Sequence, residues 1–317
     1  MRLFSNAKYR FIERRNTAYA ISAVVILLGI AAMLNNVVSL GSWLNYGVDF
    51  TGGSLIQVSF PEEVSTEQVR DALGGAQAPL ITRFGDESEF TIRAGLAEET
   101  DIESVAADIE GQLANVFGRE SFEVVRTELV GAKVGGELQE KAALAILFSF
   151  LLTLVYLAIR FELRFGLAAV IATMHDILIT LGFLAAFRVE IALPTVAAIL
   201  TIVGYSLNDT IIVFDRVREN MHQKGARKRD TIELIDSSIN ETLPRTVLTS
   251  GTTLAVLMAL AILGGAVIRD FTVVLILGVV VGTYSSIFVA SPALVEIQKR
   301  WGLGSHEKKP RPQPASV

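Results

Sequence analysis

The chain has no cysteine among its 317 residues, which excludes disulfides, Cys-ligated metal sites and thiol nucleophiles. Charge is scarce as well. Asp, Glu, Lys and Arg make up 19% of the chain, against about 25% in an ordinary soluble protein. The basic excess that marks a nucleic-acid binder is missing too, because the net charge is −5. What the sequence has instead is apolar mass, 51% of all residues, collected in long charge-poor blocks and not at amphipathic spacing. Such blocks belong in a bilayer, and the chain reads as an integral membrane protein.

A helix that crosses the hydrocarbon core needs about 20 mostly apolar residues. Six segments approach that length: 17–34, 142–159, 166–187, 191–214, 246–268 and 271–295. Lys and Arg in short loops set the orientation of such spans. They gather in the stub 1–16, at Arg160 and Arg164, through 216–229, and in the tail 296–317. With six spans all four groups fall on one side, which predicts cytoplasmic N- and C-termini. The first segment has the basic stub of a signal peptide, but its apolar run exceeds the usual length of about 7–15 residues and no small-x-small site closes it. It reads as an uncleaved anchor. The tail, with Pro310, Pro312 and Pro314, reads as disordered.

Residues 35–137 then form one extracytoplasmic domain between spans one and two, and 138–295 hold spans two to six. Acids outnumber bases in the outer segment, as suits a solvated domain. Leu55, Ile56, Val58 and Phe60 pattern a strand, and Ser65 with Gln68 makes a capping box for a helix through Leu73. Strands follow at 80–84 and 90–93, around a Gly85-Asp86 turn. Thr100 and Glu103 make a second capping box, for a helix whose Ile102, Val105, Ile109, Leu113 and Val116 share one face. A last strand covers 122–130. The order βαββαβ predicts the ferredoxin-like, split βαβ arrangement. With no Cys or His and no convergent catalytic set, this domain reads as a spacer or binding module.

Polar residues at membrane depth carry most of the functional information, because an ionised Asp near a helix centre costs about 2.5–3.5 kcal/mol on insertion scales. Asp176 stands in the third span beside His175. Asp209 stands in the fourth, with Asn208 before it and Tyr205 one turn earlier. Pro244-Arg245-Thr246 reads as the first turn of the fifth span, putting Arg245 at a depth that matches Asp209. Thr249, Ser250, Thr252 and Thr253 follow as a hydroxyl-rich stretch. Two readings of Asp209 and Arg245 stand side by side. One is a buried ion pair that locks helix packing. The other is a carboxylate that takes up and releases protons with Arg245 as its movable countercharge, driven by a potential worth about 2.3 kcal/mol per charge at 100 mV. Asp215 belongs to the cytoplasmic boundary, and His175 reads either as a proton shuttle or, as a lone histidine more often is, as a packing residue. Gly278 and Gly282 form a GxxxG for close helix contact, inside the chain or with a partner. Ile232, Ile235 and Ile239, within a cytoplasmic segment 216–244, predict an amphipathic helix on the membrane surface.

Several stretches together resemble one family. Gly47-Val48-Asp49-Phe50-Thr51-Gly52-Gly53 resembles the signature of SecD and SecF, auxiliary subunits of the bacterial Sec secretion machinery. The stretch 204–210, continuing through Asp215-Arg216 to Arg218-Glu219-Asn220, is similar to the SecF branch. So are His175-Asp176, Arg245-Thr246 with 249–253, and Ser285-Ser286 with Ala290-Ser291. The resemblance implies an α-helical membrane protein with six transmembrane helices, half of a fold related to the RND exporters, plus the α+β domain outside. It implies a multi-pass protein of the bacterial inner membrane that is not an enzyme and needs no cofactor beyond the H+ gradient. Its partners would be SecD and the SecYEG channel, with SecA acting indirectly, translocating preproteins as cargo and the lipid bilayer around it. By motif, Asp209, Arg245 and Asp176 fall on the intramembrane polar site, with Asn208, Tyr205 and Thr249 supporting them, and Gly47, Asp49, Gly52 and Gly53 form the signature. The chain lacks the SecD half found in fused members, so half of any proton path is expected on another chain. A self-sufficient exporter and a purely structural subunit are the rival readings. An intramembrane protease is disfavoured, because no Gly-x-Gly-Asp is present and 204–208 lacks the second glycine of Gly-x-Ser-x-Gly.

Overall fold

A computed structural model describes residues 8–75, 78–83, 88–94, 102–223, 230–264 and 266–301. Phe84, the Gly85-Asp86 turn, Thr100, Lys224, the basic run at 227–229 and the tail from 302 lie outside the described residues. Six helical stretches are long and apolar enough to cross a membrane. They are α1 (Arg15–Leu40), α5 (Ala132–Arg160), α6 (Leu163–Ala186), α7 (Leu193–His222), α8 (Thr231–Leu263), and α9 (Ala266–Ser285) continued by α10 (Ser291–Trp301). The first span is longer than the expected 17–34, because helix persists until Gly41 takes a left-handed φ of 74° and closes it.

Between α1 and α5 the elements run β1 (Asn45–Tyr46), α2 (Val48–Thr51), β2 (Gly53–Ser59), α3 (Thr66–Ala72), β3 (Leu80–Arg83), β4 (Glu89–Ala94), α4 (Ile102–Phe117) and β5 (Glu123–Val130). Strands β3-β4-β2-β5 form one antiparallel sheet in that order, which is the ferredoxin-like arrangement its βαββαβ sequence predicts. Ile56, Val58, Phe60, Phe90 and Ile92 of the sheet side pack with Val69, Ile109 and Leu113 of the two helices. The Ser65–Gln68 box closes in both directions, at 3.2 and 2.8 Å. A further short strand, β6 (Glu190–Ile191), lies between α6 and α7 and pairs in parallel with β1.

Helices α6, α7 and α9 form the buried centre of the bundle, with α1, α5 and α8 around them. Small residues let the backbones approach. A Cβ on Gly29 of α1 would come 2.7 Å from the Cα of Gly182 on α6. A Cβ on Gly278 would strike Ile202, and one on Gly282 would come 3.0 Å from Ser206 Cβ. The GxxxG of the sixth span therefore packs α9 against α7 within the chain. After Ser285 this span passes through a π turn, Ser286–Ala290, where Ser291 Oγ donates to Ser286 O at 2.8 Å, before continuing as α10.

The fifth span departs from expectation. Pro244 does not open it but lies inside a continuous 33-residue helix. The residues ahead of it do not lie on the membrane surface either. Ile235 and Ile239 are fully buried in the bundle core, with Phe214 and Leu294. An apolar stripe serves a protein core as well as it serves lipid headgroups, so the periodicity of Ile232, Ile235 and Ile239 did not tell the two apart. The segment ahead of α1 is pinned to this helix: Asn240 accepts Tyr9 N–H at 2.9 Å and donates to Tyr9 O at 2.8 Å, while Ile12 N–H donates to Asp236 at 3.0 Å.

Candidate functional site

Helical rotation of 100° per residue decides what α7 offers to whom. Ser206, Asp209, Thr210 and Val213 turn into the bundle and are buried, whereas Asn208 and Gly204 face out. Asp209 is 2% exposed. Ser250 of α8 donates to its Oδ2 at 3.4 Å and lies 2.7 Å from Thr283 Oγ1 of α9. Tyr205 OH donates to Thr253 Oγ1 at 3.3 Å. Thr249 spends its hydroxyl on its own helix, bonding Arg245 O at 3.0 Å. Arg245 is exposed, on the outside of α8. Among the described residues it makes no ion pair with Asp209 within 4.0 Å, so the direct clamp suggested by their matched depths is not formed. Thr246, one residue on and 1% exposed, has a hydroxyl oxygen with no partner among the described residues.

Asp176 lies in a second buried cluster, on the other flank of α7. Its Oδ1 stands 2.8 Å from His175 Nδ1. Its Oδ2 accepts from Ser285 Oγ at 2.7 Å and, by a shorter contact, from Ser206 Oγ. His175 Nε2 is 2.9 Å from Ser22 Oγ on α1, and the imidazole stacks on Tyr284 with centroids 6.2 Å apart. Tyr284 OH donates to Ala18 O at 3.0 Å. Four helices thus meet on one carboxylate–imidazole pair. His175 is buried with both ring nitrogens engaged. Ser22 and Tyr284 were missed as its partners. The available signal was their polarity inside otherwise apolar spans, but nothing local paired them with a residue more than a hundred positions away.

The signature residues sit where the outer domain meets the bundle. Gly52 and Gly53, at φ of 74° and 127°, turn the chain from α2 into β2. Gly47 leaves no room for a Cβ because the Glu190 carboxylate fills that space. Asp49, 8% exposed, accepts the backbone N–H of Leu193 at 2.8 Å. Glu190 also pairs with Arg93 of β4. Burial pushes the Glu190 carboxyl above its usual range, against the opposing pull of the Arg93 guanidinium. At the end of the bundle opposite the outer domain, Asp215 pairs with Arg160 at 2.7 Å and Arg218 at 3.7 Å. Among the described residues no group of three or more His, Asp or Glu could hold a metal ion.

Residues 109–300 match the family described as protein export membrane protein SecD/SecF, C-terminal. Residues 37–60 match the SecD/SecF GG motif. A protein translocase subunit SecF from Gemmatimonas aurantiaca is 45% identical over 309 residues, covering 95% of this chain and 90% of the relative. Another, from Vibrio alginolyticus, is 46% identical over 257 residues, covering 80% and 81%. The crystal structure of SecDF, a translocon-associated membrane protein from Thermus thermophilus, is similar with a TM-score of 0.77 at 37% identity. That similarity covers 95% of this chain but 40% of the SecDF chain.

Proposed function

Because the chain belongs to the SecD/SecF family of protein-export membrane proteins, we propose that it is the SecF-type subunit of a protein translocase. It pairs with a SecD-type chain, works beside the SecYEG channel after SecA has acted, and uses the proton-motive force to promote late steps of preprotein export. It lies in the bacterial inner membrane with both termini in the cytoplasm. The basic residues Arg160 and Arg164, at the end of the bundle opposite the outer domain, support that orientation. The H+ gradient serves as energy source, with no bound cofactor.

One observation carries the proton role. Asp209 is a buried carboxylate to which, among the described residues, one hydroxyl donates, with Arg245 outside ion-pair distance. Holding an ionised Asp at membrane depth costs about 2.5–3.5 kcal/mol on insertion scales, the same order as the 2.3 kcal/mol or so that one charge gains across 100 mV. Asp176, by contrast, already accepts two hydroxyls and pairs with an imidazole. It ties α6, α7 and α9 together through Ser206 and Ser285, and because Ser206 and Asp209 stand on neighbouring turns of α7, a shift of α7 at Asp209 reaches this second cluster.

Proton flux in vesicles holding the chain with its SecD-type partner tests the reading. Asp209→Asn keeps an acceptor for Ser250 but cannot be charged. At equal complex yield it should abolish flux and gradient-dependent stimulation of export while leaving assembly intact. Full stimulation by the variant would defeat the proton role. Absence of flux in the wild type during active export would return both residues to assembly.

A further inference from the structure

A thirty-residue helix begins at Leu193, and its own sequence does not finish its start. The first turn of a helix leaves backbone N–H groups without partners and gathers partial positive charge. The residue just ahead of Leu193 is Ala192, whose methyl group cannot accept a hydrogen bond. Pro194 follows, and Thr195 turns its hydroxyl back to Glu190 O at 2.9 Å. The acceptor for Leu193 N–H comes from 144 positions away. It is Asp49 Oδ2, at 2.8 Å, in the family signature.

Other bonds hold the same joint. Strands β1 and β6 pair Asn45 with Glu190 and Tyr46 with Ile191. Gly47 N–H donates to Ile191 O at 2.9 Å, and Asn45 Nδ2 donates to Arg188 O at 2.9 Å. A Cβ on Gly47 would displace the Glu190 carboxylate, and Glu190 is paired in turn with Arg93 on the outer domain's sheet. From this joint α7 runs without a break to Asp209, a rise of about 24 Å at 1.5 Å per residue.

We infer that Asp49, with the strand before it, is a rigid anchor between the outer domain and α7 that delivers displacement of α7 at Asp209 to that domain. Asp49 is a positioning residue, since it touches neither the proton site nor the cargo. The inference rests on the proton role proposed for Asp209.

The anchor predicts a separation of two activities normally seen together. In the assembled two-chain complex, Asp49→Ala should leave proton flux near the wild-type rate. It should lower gradient-dependent export stimulation about fivefold, the equilibrium weight of an average helix cap. Asp49→Asn keeps an acceptor for Leu193 N–H and should stay near wild type. The chain has no cysteine, so the register partners Tyr46 and Ile191 can be changed together to Cys and oxidised. That cross-link should restore export to Asp49→Ala and leave it unharmed in an otherwise wild-type chain. Unchanged export in Asp49→Ala would overturn the inference, as would flux and export falling together at equal yield. A cross-link that blocks export in the wild-type background would also overturn it, because the joint would then have to open. Asp209→Asn, run alongside, separates the two failures: normal flux in that variant sinks the proton role whatever Asp49 does.

Discussion

Glu190 is held at the domain–bundle joint by Arg93 on one side and Gly47 on the other. Burial lifts its pKa, so the folded protein binds this proton more tightly than the unfolded chain does. Its contribution to stability is therefore fully present below the ordinary glutamate value, about 4.3. The contribution declines as pH rises from there to the raised folded value and is constant above it. Glu190→Gln removes that titration while keeping an acceptor for Arg93. The difference in Tm between variant and wild type should grow in the variant's favour as pH rises through this window and then level off. A pH-independent difference would show that Glu190 does not titrate at the joint. Little of this could be seen in the sequence. The glycines and Asp49 stood out as a motif, but the residues that explain them, Arg93, Glu190 and Leu193, lie in other parts of the chain and carry no local mark.

At the scale of elements, α7 and α9 meet through the smallest side chains on α9. Gly278 lies under Ile202 and Gly282 under Ser206. Gly278→Leu would force the two helices apart and with them the Ser206 and Ser285 bonds to Asp176. Overpacking of this kind costs about 1–3 kcal/mol. The expected result is a clear fall in Tm and in recovered complex, whereas Gly251→Leu, at a glycine with nothing within 4 Å of its Cβ position, should leave the isolated chain's Tm unchanged. Equal losses at both sites would mean that the contact does not hold the bundle. Element types were legible because apolar runs of span length and period-2 strands have few other homes. Boundaries were less so. Pro244 reads as a helix start by rule, yet the bundle core covers both sides of it and the helix runs through. The interruption after Ser285 had no sequence signal beyond a pair of serines.

For the molecule as a whole, the distribution of charge at membrane depth bears on autonomy. Asp176 and Asp209 are buried within the bundle, but Arg245 and Asn208 face outward. A cation facing hydrocarbon is unfavourable unless it reaches the interface or meets another protein surface. The similarity to SecDF covers 95% of this chain and 40% of that one, so a polypeptide of that kind has ample further mass to cover such a face. On the proposed pairing, Arg245 is costly to the isolated chain and useful to the complex. Arg245→Leu should therefore raise the Tm of the chain purified alone and reduce the amount of SecD-type partner recovered with it. Thermal unfolding of both forms and co-purification from one membrane preparation measure the two effects. A variant that lowers the Tm of the isolated chain would mean that Arg245 already has its partner within the chain. One that raises Tm yet recovers the partner in full would move the pairing surface to another face of the bundle. The opposite signs in chain and complex separate a residue kept for assembly or proton transfer from one kept for the fold of this chain.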